Sequence, residues 1–157
     1  MAILRDMQLL PVSVRADTGF LHAARTLLAA HTSAIAVVDG EDRVVGLFRD
    51  DDLLRGLFPQ YLSELHHTAF LVNEGQALGA SIEAAAAEPV SRYMRKPVTV
   101  EIDASDAHVV ERFLHTPWGA IAVVDEAGRF VGMVGQLEFT ERLMERLDPR
   151  ADRGVMG

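Results

Sequence analysis

Ala34-Ile35-Ala36-Val37-Val38-Asp39 recurs unchanged as Ala120-Ile121-Ala122-Val123-Val124-Asp125, 86 residues further on. Six identical residues are already a strong sign of duplication, and the register extends outward in both directions. Upstream, Pro11-Val12-Ser13-Val14 pairs with Pro97-Val98-Thr99-Val100, Asp17 with Asp103, His22 with His108 and Leu28 with Leu114. Downstream, Arg43 pairs with Arg129 and Val45-Gly46 with Val131-Gly132. One constant offset therefore holds without a gap from Pro11 to about Arg55. The chain is an internal repeat, and each copy must be read as one supersecondary unit.

Each unit reads as β-α-β-β-α. A short β segment comes first (Val12–Val14, Val98–Val100). Asp17 in one copy, and Asp103 or Ser105 in the other, then offers a helix N-cap. A one-sided helix follows, with apolar positions at Leu21, Ala24, Leu27 and Leu28, or at Ala107, Val110, Phe113 and Leu114. The repeated hexapeptide is apolar at every position before its Asp, which predicts a strand buried on both faces. Asp39-Gly40-Glu41-Asp42 and Asp125-Glu126-Ala127-Gly128 are turn sequences leading into a second strand, Val44–Phe48 or Phe130–Val134. A last helix carries Leu53, Leu54 and Leu57, or Phe139, Leu143 and Leu147. Ile3 to Met7 and Val90 to Met94 form short lead-ins to the two copies. The expected organisation is a first repeat at 3–58, a helical linker at 59–89, a second repeat at 90–147 and a frayed tail at 148–157. Within the linker, Phe58–Leu65 reads as a short helix and Asn73–Glu88 as an Ala-rich one that Pro89 ends.

Composition narrows the function. The 157 residues are 49% apolar and 24% charged, as in an ordinary globular chain, with no run near the ~20 apolar residues that span a bilayer. The net charge of −8 disfavours nucleic acid and anionic membranes as partners. There is no cysteine, hence no disulfide, thiolate nucleophile or cysteine zinc site. The early charges of Arg5 and Asp6 do not fit a secretory signal, so the expected location is the cytoplasm. No Gly-x-Ser-x-Gly, Gly-rich phosphate loop with Lys-Ser/Thr, or His-Glu-x-x-His occurs, and an enzyme is not expected. Asp50-Asp51-Asp52 is no metal site, because consecutive helical residues point apart, and His22 and His108 sit on separate helices without a partner at i+4.

The duplicated pattern resembles a tandem pair of cystathionine-β-synthase-type (CBS) domains, a Bateman module of the stand-alone bacterial kind. The likeness rests on the Met-to-Pro-Val-x-Val lead-ins (Met7 to Val14, Met94 to Val100), the Ala-Val-Val-Asp strand ends, and Val-Gly with an acid six positions on. It implies a mixed α/β (α+β) fold in which the two repeats pack sheet to sheet about a pseudo-two-fold axis, leaving two clefts. It further implies a regulatory module that needs no cofactor and binds AMP, ADP or ATP in those clefts. For the first cleft the resemblance points to Asp52 as ribose acid, Arg49 in the phosphate-facing Ser/Thr position, Gly46, and Pro11, Val12, Ser33 and Ala34 around the adenine. For the second it points to Glu138, Gly135 and Gly132, with Pro97, Val98, Gly119 and Ala120. Because Asp52 keeps the shorter acid and Arg49 is cationic, the first cleft is the expected stronger site. Asp52 also reads as a carboxylate favoured at a helix N-terminus, and Trp118 as a residue that either stacks on adenine or locks the turn. Arg95-Lys96, the only adjacent basic pair, reads as a phosphate contact or a solvated turn. The rival function is a ligand-free dimeric adaptor, and side chains filling the clefts would favour it. The partners expected are a second copy, docked through the last helices (Leu53, Leu57; Phe139, Leu143, Leu147), and a regulated protein of unspecified kind.

Overall fold

A computed structural model describes residues 2–57, 83, 84, 86–148 and 150. The expected helix at Phe58–Leu65, most of the Ala-rich linker, His66-His67 and the tail beyond residue 150 lie outside the described residues. The first half contains α1 (Ile3–Asp6), β1 (Ser13–Arg15), α2 (Phe20–Ala29), β2 (Ala34–Val38), β3 (Val44–Arg49) and a helical stretch, α3, over 50–57. A 3-10 turn at Val90–Arg92 leads to β4 (Thr99–Glu101), α4 (Asp106–Leu114), β5 (Ala120–Val124), β6 (Phe130–Gly135) and α5 (Gln136–Leu147).

The two sheets are copies of one another. Orders β1-β2-β3 and β4-β5-β6 share a parallel first pair and an antiparallel second pair. The registers are repeat-equivalent: Ser13 opposes Ala36 as Thr99 opposes Ala122, and Ala34 opposes Arg49 as Ala120 opposes Gly135. The two hairpin turns are built alike. Asp39 Oδ1 accepts from the N–H groups of Glu41 (2.8 Å) and Arg43 (3.0 Å), and Asp125 Oδ1 from those of Ala127 and Arg129 (both 2.9 Å). These bonds hold the Asp39 carboxyl below its ordinary pKa of 3.8. A depressed acid stabilises the fold above its unfolded pKa, and that stability is lost as pH falls through the lower folded value. Asp39→Asn should therefore flatten the acid limb of a stability–pH curve below about pH 4, which urea titrations across pH 2–5 would read.

The doubly apolar β2 and β5 are buried at every position. Their faces divide by size. Ile35 and Val37 point into a core with Phe20, Leu27 and Phe48, and Ile121 and Val123 into one with Val109, Phe113 and Phe139. The opposite faces, Ala34, Ala36, Ala120 and Ala122, meet between the sheets with Leu47 and Met133. Small residues there let two sheets approach closely, so the alanines of the hexapeptide form the interface between repeats. The pseudo-two-fold relation is visible in the bonds that cross it. Val44 N–H donates to the Gly128 carbonyl (3.2 Å) and its repeat-equivalent, Phe130 N–H, to that of Asp42 (2.8 Å).

Three local expectations are corrected. In α2 the N-cap is Gly19, without a side-chain bond, so Asp17 does not cap; in α4, Ser105 accepts from His108 N–H (3.2 Å). The buried faces are Phe20, Ala23, Ala24 and Leu27, and Val109 and Phe113, while Leu28 and Leu114 are 61% and 76% exposed. Helix α2 is rotated because Phe20 anchors it, packing edge-on against Phe48 (5.8 Å) and tilted on Tyr93 (4.4 Å). Finally, the lead-ins are exchanged. Ile3 and Leu4 sit in the core of the second repeat, and Val90, Tyr93 and Met94 pack in that of the first. Each lead-in also adds to the far sheet: Leu10 exchanges backbone bonds with Met133 (3.0 and 2.8 Å), and Arg95 with Leu47 (2.9 and 3.1 Å).

Candidate functional site

The exchanged lead-ins determine what surrounds each repeat's acid. They cross the last strands where side chains are missing. A β-carbon on Gly46 would overlap Met94, and one on Gly132 would overlap Leu9. These two glycines, expected near ligand, are thus accounted for by close chain approach.

Around Asp52 the structure gathers Arg49, Arg95 and Trp118. Asp52 is 5% exposed and both its oxygens are engaged. Oδ2 accepts from the Arg49 N–H (3.0 Å), the backward arm of a capping box at the start of α3, and Oδ1 from Arg95 Nε (2.6 Å). Arg49 is 8% exposed; its guanidinium lies 4.6 Å from the centre of the Trp118 ring, and one terminal nitrogen donates to Asp51 Oδ2 (3.0 Å). Ser33 Oγ donates to the Trp118 carbonyl (2.7 Å). Arg49 thus packs beneath an indole instead of standing free for a phosphate. Of the two readings of Trp118 the structure displays packing, and Arg95 serves the acid while Lys96 is exposed. Ala34 is buried between the sheets, Val12 packs on the first core, and Pro11 is exposed.

Around Glu138 the arrangement is open. A cavity of about 240 Å³ is lined by the lead-in residues Met7, Gln8 and Leu10, by the α2–β2 loop residues Ala30, His31 and Thr32, and by Met133, Val134, Gly135 and Glu138. Glu138 is exposed, and its carboxylate lies where a β-carbon on residue 135 would be, so Gly135 makes room for the longer acid. Pro97, Val98, Gly119 and Ala120 do not line this cavity. Val98 packs between the cores, Ala120 lies between the sheets, and the Gly119 carbonyl accepts from Gln136 N–H (2.8 Å). The residues that take their place, Met7 to Leu10 and Ala30 to Thr32, come from the first repeat. Nothing within a single repeat signals that, because it depends on the exchange of lead-ins and on the packing of one repeat's sheet against the other's. Among the described residues no cluster of three or more His, Asp or Glu could hold a metal ion, and no helix is long and apolar enough to cross a membrane.

The CBS-domain family model matches residues 5–58 and again residues 90–145. The chain belongs to the CBS-domain family. The structure of this CBS pair is similar to the CBS domain of a CBS-domain-containing membrane protein from Sphaerobacter thermophilus (24% identity, TM-score 0.64, covering 89% of this chain and 91% of that one). It is similar to CBSX2 from Arabidopsis thaliana (18%, TM-score 0.65, 87% and 91%), and CBSX2 has been solved in complex with AMP (19%, TM-score 0.65, 92% and 98%). It is also similar to the CBS pair of protein MJ0100 in complex with 5′-methylthioadenosine and S-adenosyl-L-methionine (17%, TM-score 0.62, 94% and 98%). At these identities the likeness is one of fold. Comparison with curated proteins gives no match.

Proposed function

We propose that this CBS pair is a regulatory module that senses an adenosine-type ligand of the AMP class in the second cleft, the cavity at Glu138. The observation that carries the reading is that cavity itself, open and lined by one carboxylate above an apolar floor of Met7, Leu10, Ala30, Met133 and Val134. A purine suits the floor, and ribose hydroxyls suit the acid. The cavity's 240 Å³ lies just below the ~300–1,000 Å³ of drug-sized sites, and its open mouth lets a ligand extend beyond it. CBSX2 with AMP and MJ0100 with 5′-methylthioadenosine support the ligand class.

The sequence alone favoured the first cleft; the geometry around Asp52 turns that preference toward the second. Among the described residues His31 is the one basic residue in the lining, and no arginine or lysine lines it. A triphosphate therefore finds little counter-charge there, and AMP should bind more tightly than ATP. Charge-assisted hydrogen bonds contribute roughly 1.5–3 kcal/mol, so Glu138→Ala should weaken AMP by about 10- to 100-fold. Calorimetric titration of AMP, adenosine and ATP into both proteins checks this; unchanged AMP affinity in Glu138→Ala would refute the site. The adaptor reading draws on the side chains packed around Asp52, Arg49 on Trp118 and Arg95 on the acid, and it gains if none of the three ligands binds.

Self-association is proposed through a helix face that keeps Leu147 of the expected set and replaces the rest. Leu53, Leu57, Phe139 and Leu143 pack against their own cores, whereas Leu54, Leu137, Met144 and Leu147 are 49–68% exposed. A two-fold dimer covering that second set would sediment at twice the 17.2 kDa of the chain. Leu137→Glu with Met144→Glu should return it to monomer.

A further inference from the structure

The two clefts occupy equivalent places in two copies of one unit, so they can be compared position by position. Where the second cleft has Gly135, the first has Arg49; where it has Thr32, the first has Trp118. The lead-in is one residue shorter before the second repeat, so Leu10 corresponds to Arg95, as their matching backbone bonds to Met133 and Leu47 show. At all three positions a small or apolar side chain in the open cleft is replaced by a large one in the other. The large ones engage each other and the local acids: guanidinium on indole, Arg49 on Asp51, Arg95 on Asp52. Two arginines and two aspartates neutralise one another, leaving no net charge to draw in an anion.

We infer that Arg49, Trp118 and Arg95 form a built-in plug that closes the first cleft and limits the chain to one ligand. The inference rests on the reading of the second cleft as the ligand site. The plug also fastens the repeats together, since Trp118 belongs to the second repeat while Arg49 and Ser33, which it meets, belong to the first. It is an imperfect filling. Arg49 Nε and Trp118 Nε1 are both buried, and neither has a hydrogen-bond partner among the described residues. Two neighbouring orphan donors are what side chains leave when they fill a space shaped for something else.

The test gives the first cleft the second cleft's residues. Arg49→Gly with Trp118→Thr and Arg95→Leu should raise the calorimetric stoichiometry for AMP from one per chain to two. Adding Glu138→Ala to that triple variant should leave one. A wild-type stoichiometry of two, or a triple variant that stays at one while melting cooperatively, would overturn the plug and leave the second-cleft reading intact. A measurement without ligand decides the matter independently. Trp118 is the sole tryptophan, so acrylamide quenching reports on it alone. It should be protected in the wild type and lose that protection in Arg49→Gly and in the milder Arg49→Ala. Wild-type quenching equal to that of free indole, or no change in either variant, would overturn the plug even if AMP bound neither protein.

Discussion

Leu4→Ala is expected to destabilise the protein by about 2–5 kcal/mol, the range for emptying a buried leucine site, and to loosen the second repeat instead of the first. Leu4 is 1% exposed, and with Ile3 it packs against Val100, Val109, Phe113, Ile121 and Phe139. Native-state hydrogen exchange would read the asymmetry: amides of β4, β5, β6 and α5 should lose protection, and those of β1, β2 and β3 should change less. Val90→Ala should do the reverse, because Val90 is fully buried in the first core. Loss confined to the first repeat in Leu4→Ala would contradict the exchange of lead-ins. Since that exchange also places Met7 to Leu10 against Glu138, the same experiment bears on how the second cleft is built.

Asp52→Ala should lower stability by about 2–3 kcal/mol while leaving AMP affinity nearly unchanged. The substitution removes the acceptor that caps the Arg49 N–H and the partner of Arg95 at 2.6 Å. Arg95 keeps 34% of its side chain in solvent, so it can rehydrate, and the cost stays below the 3–5 kcal/mol or so of a fully buried orphaned charge. For a chain of this length the melting temperature should fall by roughly 4–12 °C. A variant of unchanged stability that lost AMP binding would mean that Asp52 meets the ribose after all.

The repeat, the β-α-β-β-α order and the doubly buried hexapeptide were all legible in the sequence, because they depend on local periodicity and a constant offset. The acids were legible too: Asp52 and Glu138 follow their strands at the same distance in each copy. What surrounds them was not. Gly46 and Gly132 look like ligand-facing glycines until a lead-in from the far repeat is seen crossing them. Arg49 looks like a phosphate ligand when it is read beside Asp52 alone. Its fate is decided by Trp118, which lies 69 positions away and reaches it only when the sheets close. Leu28 and Leu114 fit an apolar stripe by spacing, but for Leu28 an aromatic anchor at Phe20 turned the helix and left it in solvent. Periodicity reports on one element at a time, whereas a cleft between repeats is made by pairs of elements.

A CBS pair of this sequence is expected to offer one adenosine site, at Glu138. A crystal structure of the wild-type protein grown with AMP tests it most directly. One nucleotide per chain is expected, seated between Met7–Leu10, Ala30–Thr32 and Glu138, with the Arg49 guanidinium still on the Trp118 ring. Nucleotide density at Asp52, with Arg49 and Arg95 swung away from Trp118 and the acid, would contradict it.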